Sequence, residues 1–310
     1  MLQDSIHVPV LLNEVLEVLD PKPGEFFIDG TVNGGGHTFS IVQKMMPNGK
    51  YLAVDLDGRI LQGTRKMIEE KFQIPNSKFQ ILWEEGNYAD LPKILEEKKL
   101  GRADGFLLDL GFSSMQLEAR RGFSFRIEKG LSADLEPLDM RYSSESDITA
   151  AEIINSFREE ELIDIFRNYG EERSARKIAK AILEGRKKER IVSVGQLVRV
   201  IDGVVLPKNR KDVLQKIFQS LRIYVNDELN NLKSILENLA KVVKPGGRIA
   251  IISFHSLEDR LVKNKFKELV DERMAEILTH KPIEASEEEI KANPKARSAK
   301  LRAVKIFLKS

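Results

Sequence analysis

Three aspartates in the N-terminal half of the chain, Asp29, Asp55 and Asp109, each stand at the end of an apolar run. The first opens onto Gly30, Gly34, Gly35 and Gly36 in "FFIDGTVNGGGHT". Glycines between a strand and a helix let the backbone approach a ligand closely and turn the amides of the helix N-terminus toward it. By itself such a stretch serves equally well as a tight turn with no ligand. Asp55, about twenty residues further on, changes the balance, because a carboxylate at the end of the next strand can accept both hydroxyls of a ribose. A dinucleotide would require G-x-G-x-x-G aimed at a pyrophosphate, and "DGTVNGGGHT" does not supply it. Negative charge at Asp29 disfavours a pyrophosphate but suits a cofactor bearing an ammonium and a sulfonium, such as S-adenosylmethionine. Asp109 lies in "LLDLGFSSMQL", which adds Ser113, Ser114 and Gln116 beyond the end of a further strand. Ligands of open parallel sheets bind beyond the carboxyl ends of the strands, so all three aspartates are expected on the cofactor's side.

The elements that would position these residues alternate. A short helix over Pro9 to Leu19 precedes strand "EFFIDGT", a helix from His37 to Met46, strand "YLAVDLD" and a helix from Gly58 to Lys71. Strand "KFQILW", a helix around Leu91 to Leu100 and the apolar strand "ADGFLLDLGFS" follow, the pattern of a doubly wound α/β sheet covered on both faces. The alternation then gives way to a Gly- and Arg-rich loop (120 to 142) and to helical patterns such as "ITAAEIINSFREEELIDIFRNYG" and "ERSARKIAKAILEGRKKER". It resumes with a helix ending in "LAKVVKPGG", strand "RIAIISF", a helix from Leu257 to Ile277 and strand "RAVKIFL". "KPGG" suits a helix stop and a tight turn. The expected organisation is a discontinuous α/β domain, residues 1–114 and 216–310, with an inserted all-helical domain over 115–215.

Composition narrows the chemistry. With 310 residues, 42% of them hydrophobic and 32% charged, the chain is expected to bury an ordinary globular core. It has no cysteine, which removes disulfides, thiolate metal sites and attack through a thiolate. Its four histidines, His7, His37, His255 and His280, are too dispersed to suggest a metal site by spacing. The N-terminus is punctuated by acids and no later apolar run reaches membrane-spanning length, so a cytoplasmic protein without a membrane partner is expected. The net charge of +2 does not argue for a polyanionic partner, but its distribution permits one. Lys291 to Ser310 carries seven Lys or Arg and no acid, and "GRKKER" and "KNRK" add smaller clusters.

The chain closely resembles the RsmH (MraW) family, bacterial S-adenosylmethionine-dependent methyltransferases that modify the N4 amino group of a cytidine in the decoding region of 16S ribosomal RNA. The resemblance rests on "HVPVLLNEVL", "DGTVNGGGHT", "DLGFSSMQL", "GEERSARKIAKAI", "FQSLRIYVNDEL", "KPGGRIAIISFHSLEDR" and "NPKARSAKLRA", and covers nearly the whole length. It implies a Rossmann-like methyltransferase sheet in which Gly35, Gly36 and His37 line the cofactor pocket, Asp55 holds the ribose, Tyr88 packs beside the adenine, and Asp109 and Gln116 complete the site. It implies 16S rRNA, or the small ribosomal subunit, as the partner. The sequence departs from the family at Asn33, where glycine is usual and where asparagine tolerates left-handed dihedrals, and at Met115, where proline is usual.

A cytosine amino group is a poor nucleophile because its lone pair is delocalised into the ring, so acceptors must localise it as the new bond forms. Asp109, Ser113 and Ser114 are the candidates. The inserted helices and the basic C-terminal segment are expected to hold RNA through phosphate contacts, with the target base turned out of its stack. Two other classes fit parts of the pattern: a nicotinamide-dependent oxidoreductase, which needs another phosphate loop, and a noncatalytic RNA-binding protein.

Overall fold

The computed structural model describes residues 9–72, 78–111, 120–125, 135–143 and 147–307. They fall into two compact units, Met1–Ser113 with Leu229–Ser310, and Ser114–Glu228.

The first unit is built on a sheet with the strand order β3-β2-β1-β4-β5-β8-β6. Its strands are β1 (Phe26–Asp29), β2 (Asn48–Asp55), β3 (Lys78–Glu85), β4 (Ala103–Asp109), β5 (Val243–Ser253), β6 (Ala275–Ile277), β7 (Ile283–Glu284) and β8 (Lys300–Ile306). The five strands β1 to β5 pair in parallel, whereas β8 runs antiparallel to β5, β6 and β7. The order reverses at β1, which lies between β2 and β4, the switch point where open α/β sheets bind ligands. Strand period two divides the apolar residues between two covered faces. Ile28, Leu52, Val54, Phe106, Leu108, Ile249 and Ile251 belong to one buried cluster, while Phe27, Tyr51, Ala53, Leu107, Ala250 and Ile252 belong to the other. This is the Rossmann-like, doubly wound α/β fold.

Helices α1 (Leu12–Leu19), α2 (Gly36–Met45), α3 (Gly58–Phe72) and α4 (Leu91–Glu97) punctuate the first half as the sequence pattern predicts. Two expectations fail nearer the C-terminus. "KPGG" is not a turn before a strand but a bulge inside one: Val243 already pairs with Ala103 and Arg248 with Gly105, so the residues between them loop out against Asp104 alone. The helix expected from Leu257 to Ile277 stops at Asp271, where Arg273 adopts a left-handed φ of 56°. Ala275–Ile277 then forms β6, because its apolar residues pair with Val304 and Ile306 of β8.

The second unit is helical. Its helices are α5 (Ala150–Ser156), α6 (Glu159–Asn168), α7 (Ala175–Lys188), α8 (Val194–Asp202) and α9 (Arg210–Val225), and the boundary with the first unit falls at the start of α10 (Glu228–Glu237). Thr149 starts α5 with a reciprocal cap, its hydroxyl accepting from Glu152 N while the Glu152 carboxylate accepts from Thr149 N. The unit extends beyond residue 215 because α9 is amphipathic. Val213, Leu214, Ile217, Phe218 and Leu221 are buried in one cluster with Ile153, Phe166, Ile178, Ile182 and Leu197. Helices α11 (Leu239–Val242), α12 (Ser256–Asp271) and α13 (Glu287–Ala292) complete the first unit.

Candidate cofactor and active site

The candidate residues gather at the carboxyl ends of β2, β1 and β4, and the sheet register decides how each aspartate is used. Asp29 pairs with Ala53 and is level with Leu107, so it lies two residues deeper than the rim made by Asp55 and Asp109. All three have the same strand parity and therefore project toward one face. Asp29 is fully buried: its Oδ2 accepts from Thr38 Oγ1 at 2.8 Å and Tyr51 Oη at 3.1 Å, and its Oδ1 accepts from Thr31 N at 3.1 Å. The expectation that Asp29 faces a cofactor is therefore corrected. It fastens the start of the glycine turn to α2 and to β2.

The glycine turn is held from three sides. Asn33 takes a left-handed φ of 50°, as its residue type permits, and its N–H donates to Asp55 Oδ2 at 2.9 Å. The Asn33 side-chain amide donates to Asp109 O at 3.1 Å, and Thr64 Oγ1 donates to Asn33 O at 3.3 Å. Thr31 Oγ1 accepts from Asp109 N at 2.6 Å, joining the ends of β1 and β4. Sequence reading missed Thr31 and Thr64, whose hydroxyls serve backbone groups distant in the chain. It treated Asn33 only as a departure from glycine, although the amide that glycine lacks reaches β4. Gly35 has a φ of 76°, and a Cβ there would meet Thr64 Cγ2 at 2.4 Å. Its bareness is thus used for the approach of α3.

Asp55 accepts from Asn33 N and, through Oδ1, from Asp57 N at 2.9 Å. Asp57, also buried, carries the carbonyl that accepts Leu61 N at the start of α3, a helix-start signal the sequence contains. Tyr88 opens a short 3₁₀ turn whose preceding Asn87 side chain accepts from Ala89 N. Its Cβ lies 3.1 Å from where a side chain at Gly30 would begin, which sets it beside the end of β1.

His37 is buried in the first turn of α2. Its Nε2 lies 2.9 Å from Val10 O, and since a carbonyl only accepts, Nε2 carries the proton. Nδ1 then faces Asp109 Oδ2 at 3.7 Å. Asp109 Oδ1 is buried with no hydrogen-bond partner among the described residues. Ser113, Ser114, Met115 and Gln116 lie outside the described residues. His255 caps α12: its Nδ1 accepts from Glu258 N at 3.4 Å, while Glu258 Oε2 accepts from Phe254 N at 2.8 Å. His280 is exposed, and His7 lies outside the described residues.

Burial pushes the Asp29 carboxyl up to about 6 and those of Asp55 and Asp109 up to about 7, and the charge of Asp29 adds to the effect at Asp109. Backbone N–H groups on Asp55 oppose its shift. An unsatisfied acceptor beside raised carboxyls fits a ligand that brings N–H groups and positive charge.

Two predictions follow from this geometry. Gly35→Ala should destabilise the protein by roughly 2 kcal/mol, from strain at positive φ and the clash with Thr64, and Thr64→Ser, which removes the clashing methyl, should restore part of it in denaturant titrations. An equal loss in Gly35→Ala with and without Thr64→Ser would contradict the packing account. The raised carboxyls hold protons in the folded state that the unfolded chain has released, so their stabilising effect is complete below about pH 4 and lost as pH rises through 6 to 7. The cofactor-free protein should therefore melt at a lower temperature at pH 8 than at pH 5. Asp109→Asn should flatten that fall, and an unchanged slope would contradict it.

The MraW methylase family model matches residues 4–307. Among similar proteins, the "Ribosomal RNA small subunit methyltransferase H" of Dictyoglomus thermophilum is 43% identical over 303 residues, covering 96% of both chains. The protein of the same name from Syntrophotalea carbinolica is 42% identical over 319 residues, covering 96% of this chain and 97% of that one. That from Coprothermobacter proteolyticus is 42% identical over 300 residues, covering 96% and 95%. With its glycine turn, strand-end carboxylates and helical unit all inside the matched span, this chain belongs to the MraW methylase family.

Proposed function

We propose that this protein transfers a methyl group from S-adenosylmethionine to the N4 amino group of a cytidine in the decoding region of 16S ribosomal RNA. The observation that carries the reading is the buried, unpartnered Oδ1 of Asp109 among the described residues, at the switch point of a sheet whose chain is an end-to-end relative of ribosomal RNA methyltransferases. Family membership supports the donor and the ribosomal RNA. The amino nitrogen as acceptor atom rests on the resemblance and on the absence of cysteine, which removes carbon-5 methylation through a thiolate adduct.

When bound, S-adenosylmethionine supplies an electrophilic methyl on a sulfonium. Asp55 accepts from the ribose hydroxyls while its backbone partners keep the carboxylate oriented. The backbone of Gly35 and Gly36, with His37, lines the pocket for the methionine portion, and the ring of Tyr88 packs on the adenine. Asp109 and Gln116 complete the pocket by accepting from or donating to polar groups. Asp109, Ser113 and Ser114 are the acceptors offered to the target amine, localising its lone pair as the carbon–nitrogen bond forms. His37 Nδ1 lies 3.7 Å from the Asp109 carboxylate. The helical unit supplies the RNA contacts.

No helix among the described residues is long and apolar enough to cross a membrane. An oxidoreductase reading fails on the phosphate loop and on the methylase family match.

Two experiments test the proposal. Unmodified small-subunit RNA or particles, incubated with the protein and methyl-labelled cofactor, should yield one cytidine methylated at N4. Label at carbon 5, on a ribose, or on no RNA would overturn the assignment. A cationic cofactor should draw protons off the raised carboxyls, so calorimetric titrations at pH 7 in buffers of different ionisation enthalpy should report proton release. Asp109→Asn should release fewer protons, and buffer-independent heats in the unaltered protein would contradict the carboxylate account.

A further inference from the structure

Each basic run that stands out in the sequence has at least one cation occupied within the fold, although Lys187, Lys188, Arg190, Lys208, Lys211, Lys291 and Arg297 remain exposed. In "GRKKER", the Arg186 guanidinium donates to Ile154 O and Phe157 O. In "KNRK", Arg210 pairs with Asp202 through two hydrogen bonds, at 2.7 and 3.0 Å. In the C-terminal segment, Arg302 pairs with Asp259 and Lys300 with Glu284. A less conspicuous set has none of its members so occupied. Arg173, just before α7, and Arg176, Lys177 and Lys180 within it are exposed, and their side chains make no hydrogen bond or ion pair among the described residues.

Arg176, Lys177 and Lys180, one and four residues apart, share one helical face, and Arg173 lies in the turn that leads into it. Ala175, Ile178, Ala179 and Ile182, buried in the core of the helical unit, occupy the opposite face. Glu184, one turn beyond Lys180, bounds the stripe. Two of the cations lie in the first turn of α7, which holds no acid. Positive charge there opposes the helix dipole and weakens the helix, so these residues are not present for the stability of the fold. In the same unit Arg141, Arg158 and Lys216 are each paired with acids.

We infer that Arg173, Arg176, Lys177 and Lys180 form a docking stripe for the phosphates of the ribosomal RNA substrate. The inference rests on the proposed action on RNA and adds the surface that holds it. A row of unpaired, solvent-exposed cations on a rigid helix neutralises backbone phosphates without reading bases, and so fixes the position of the RNA but not the sequence chosen.

The test is the full chain carrying Arg173→Gln, Arg176→Gln, Lys177→Gln and Lys180→Gln together, since glutamine matches lysine and arginine in helix propensity. A comparison chain carries Lys66→Gln and Lys93→Gln, on helices of the other unit. Binding to small-subunit RNA is measured across a salt series, with melting temperature and cofactor affinity read alongside. In the stripe variant the slope of log affinity against log salt should flatten by roughly 3, as expected for four lost phosphate contacts. RNA affinity at low salt should fall at least tenfold, while the melting temperature holds or rises and cofactor affinity is unchanged. The comparison chain should bind RNA as the unaltered protein does. A stripe variant with unaltered RNA affinity and salt slope would overturn the inference while leaving the methyltransferase reading in place. Equal weakening in the comparison chain, or a fall in melting temperature that accounts for the lost binding, would overturn it too. If the unaltered protein neither bound nor methylated the RNA, both readings would fall.

Discussion

Burying carboxylates at the ends of neighbouring parallel strands is costly, and the rim of this sheet is organised around that cost. Asp29, two residues below the rim, is satisfied by three donors from Thr31, Thr38 and Tyr51. Asp55, at the rim, accepts two backbone N–H groups and keeps lone pairs to spare. Asp109 keeps one oxygen buried with no partner among the described residues. This gradient of satisfaction runs from structure toward chemistry. The deepest carboxylate fixes the turn, the next is oriented by it, and the last is left to an incoming group.

The glycine turn transmits this order. Asn33 reaches Asp55 through its backbone and the end of β4 through its side chain, while Thr31 ties β1 to β4. Three strands and the starts of two helices are thereby joined by short hydrogen bonds that do not depend on a ligand. Such a frame holds its acceptors before the cofactor arrives, which lowers the reorganisation needed for binding and for transfer.

Most of this rim was legible in the sequence, because strand ends announce themselves where apolar runs meet Asp and Gly. What the sequence concealed was register. Asp29, Asp55 and Asp109 look equivalent as strand-terminal carboxylates, yet pairing of Asp29 with Ala53 sinks it below the other two. The role of Gly35 was half legible: a bare backbone was needed, but for the approach of Thr64, which lies on a helix that sequence cannot place against it. The "KPGG" bulge and strand β6 escaped because both depend on partners elsewhere in the chain, Ala103 and Gly105 in one case and β8 in the other. Charge was legible as density along the chain, but which cations are held by groups elsewhere in the fold, as Arg186, Arg210, Lys300 and Arg302 are, was not.

The central claim is that the carboxyl ends of β2, β1 and β4 hold a sulfonium nucleoside through Asp55 and Asp109. The most direct measurement is a crystal structure of the protein with S-adenosylmethionine. The account predicts ribose hydroxyls within hydrogen-bonding distance of the Asp55 carboxylate and an amino or ammonium nitrogen on Asp109 Oδ1. A cofactor bound away from these strand ends, or bound there with both carboxylates making no contact to it, would contradict the account.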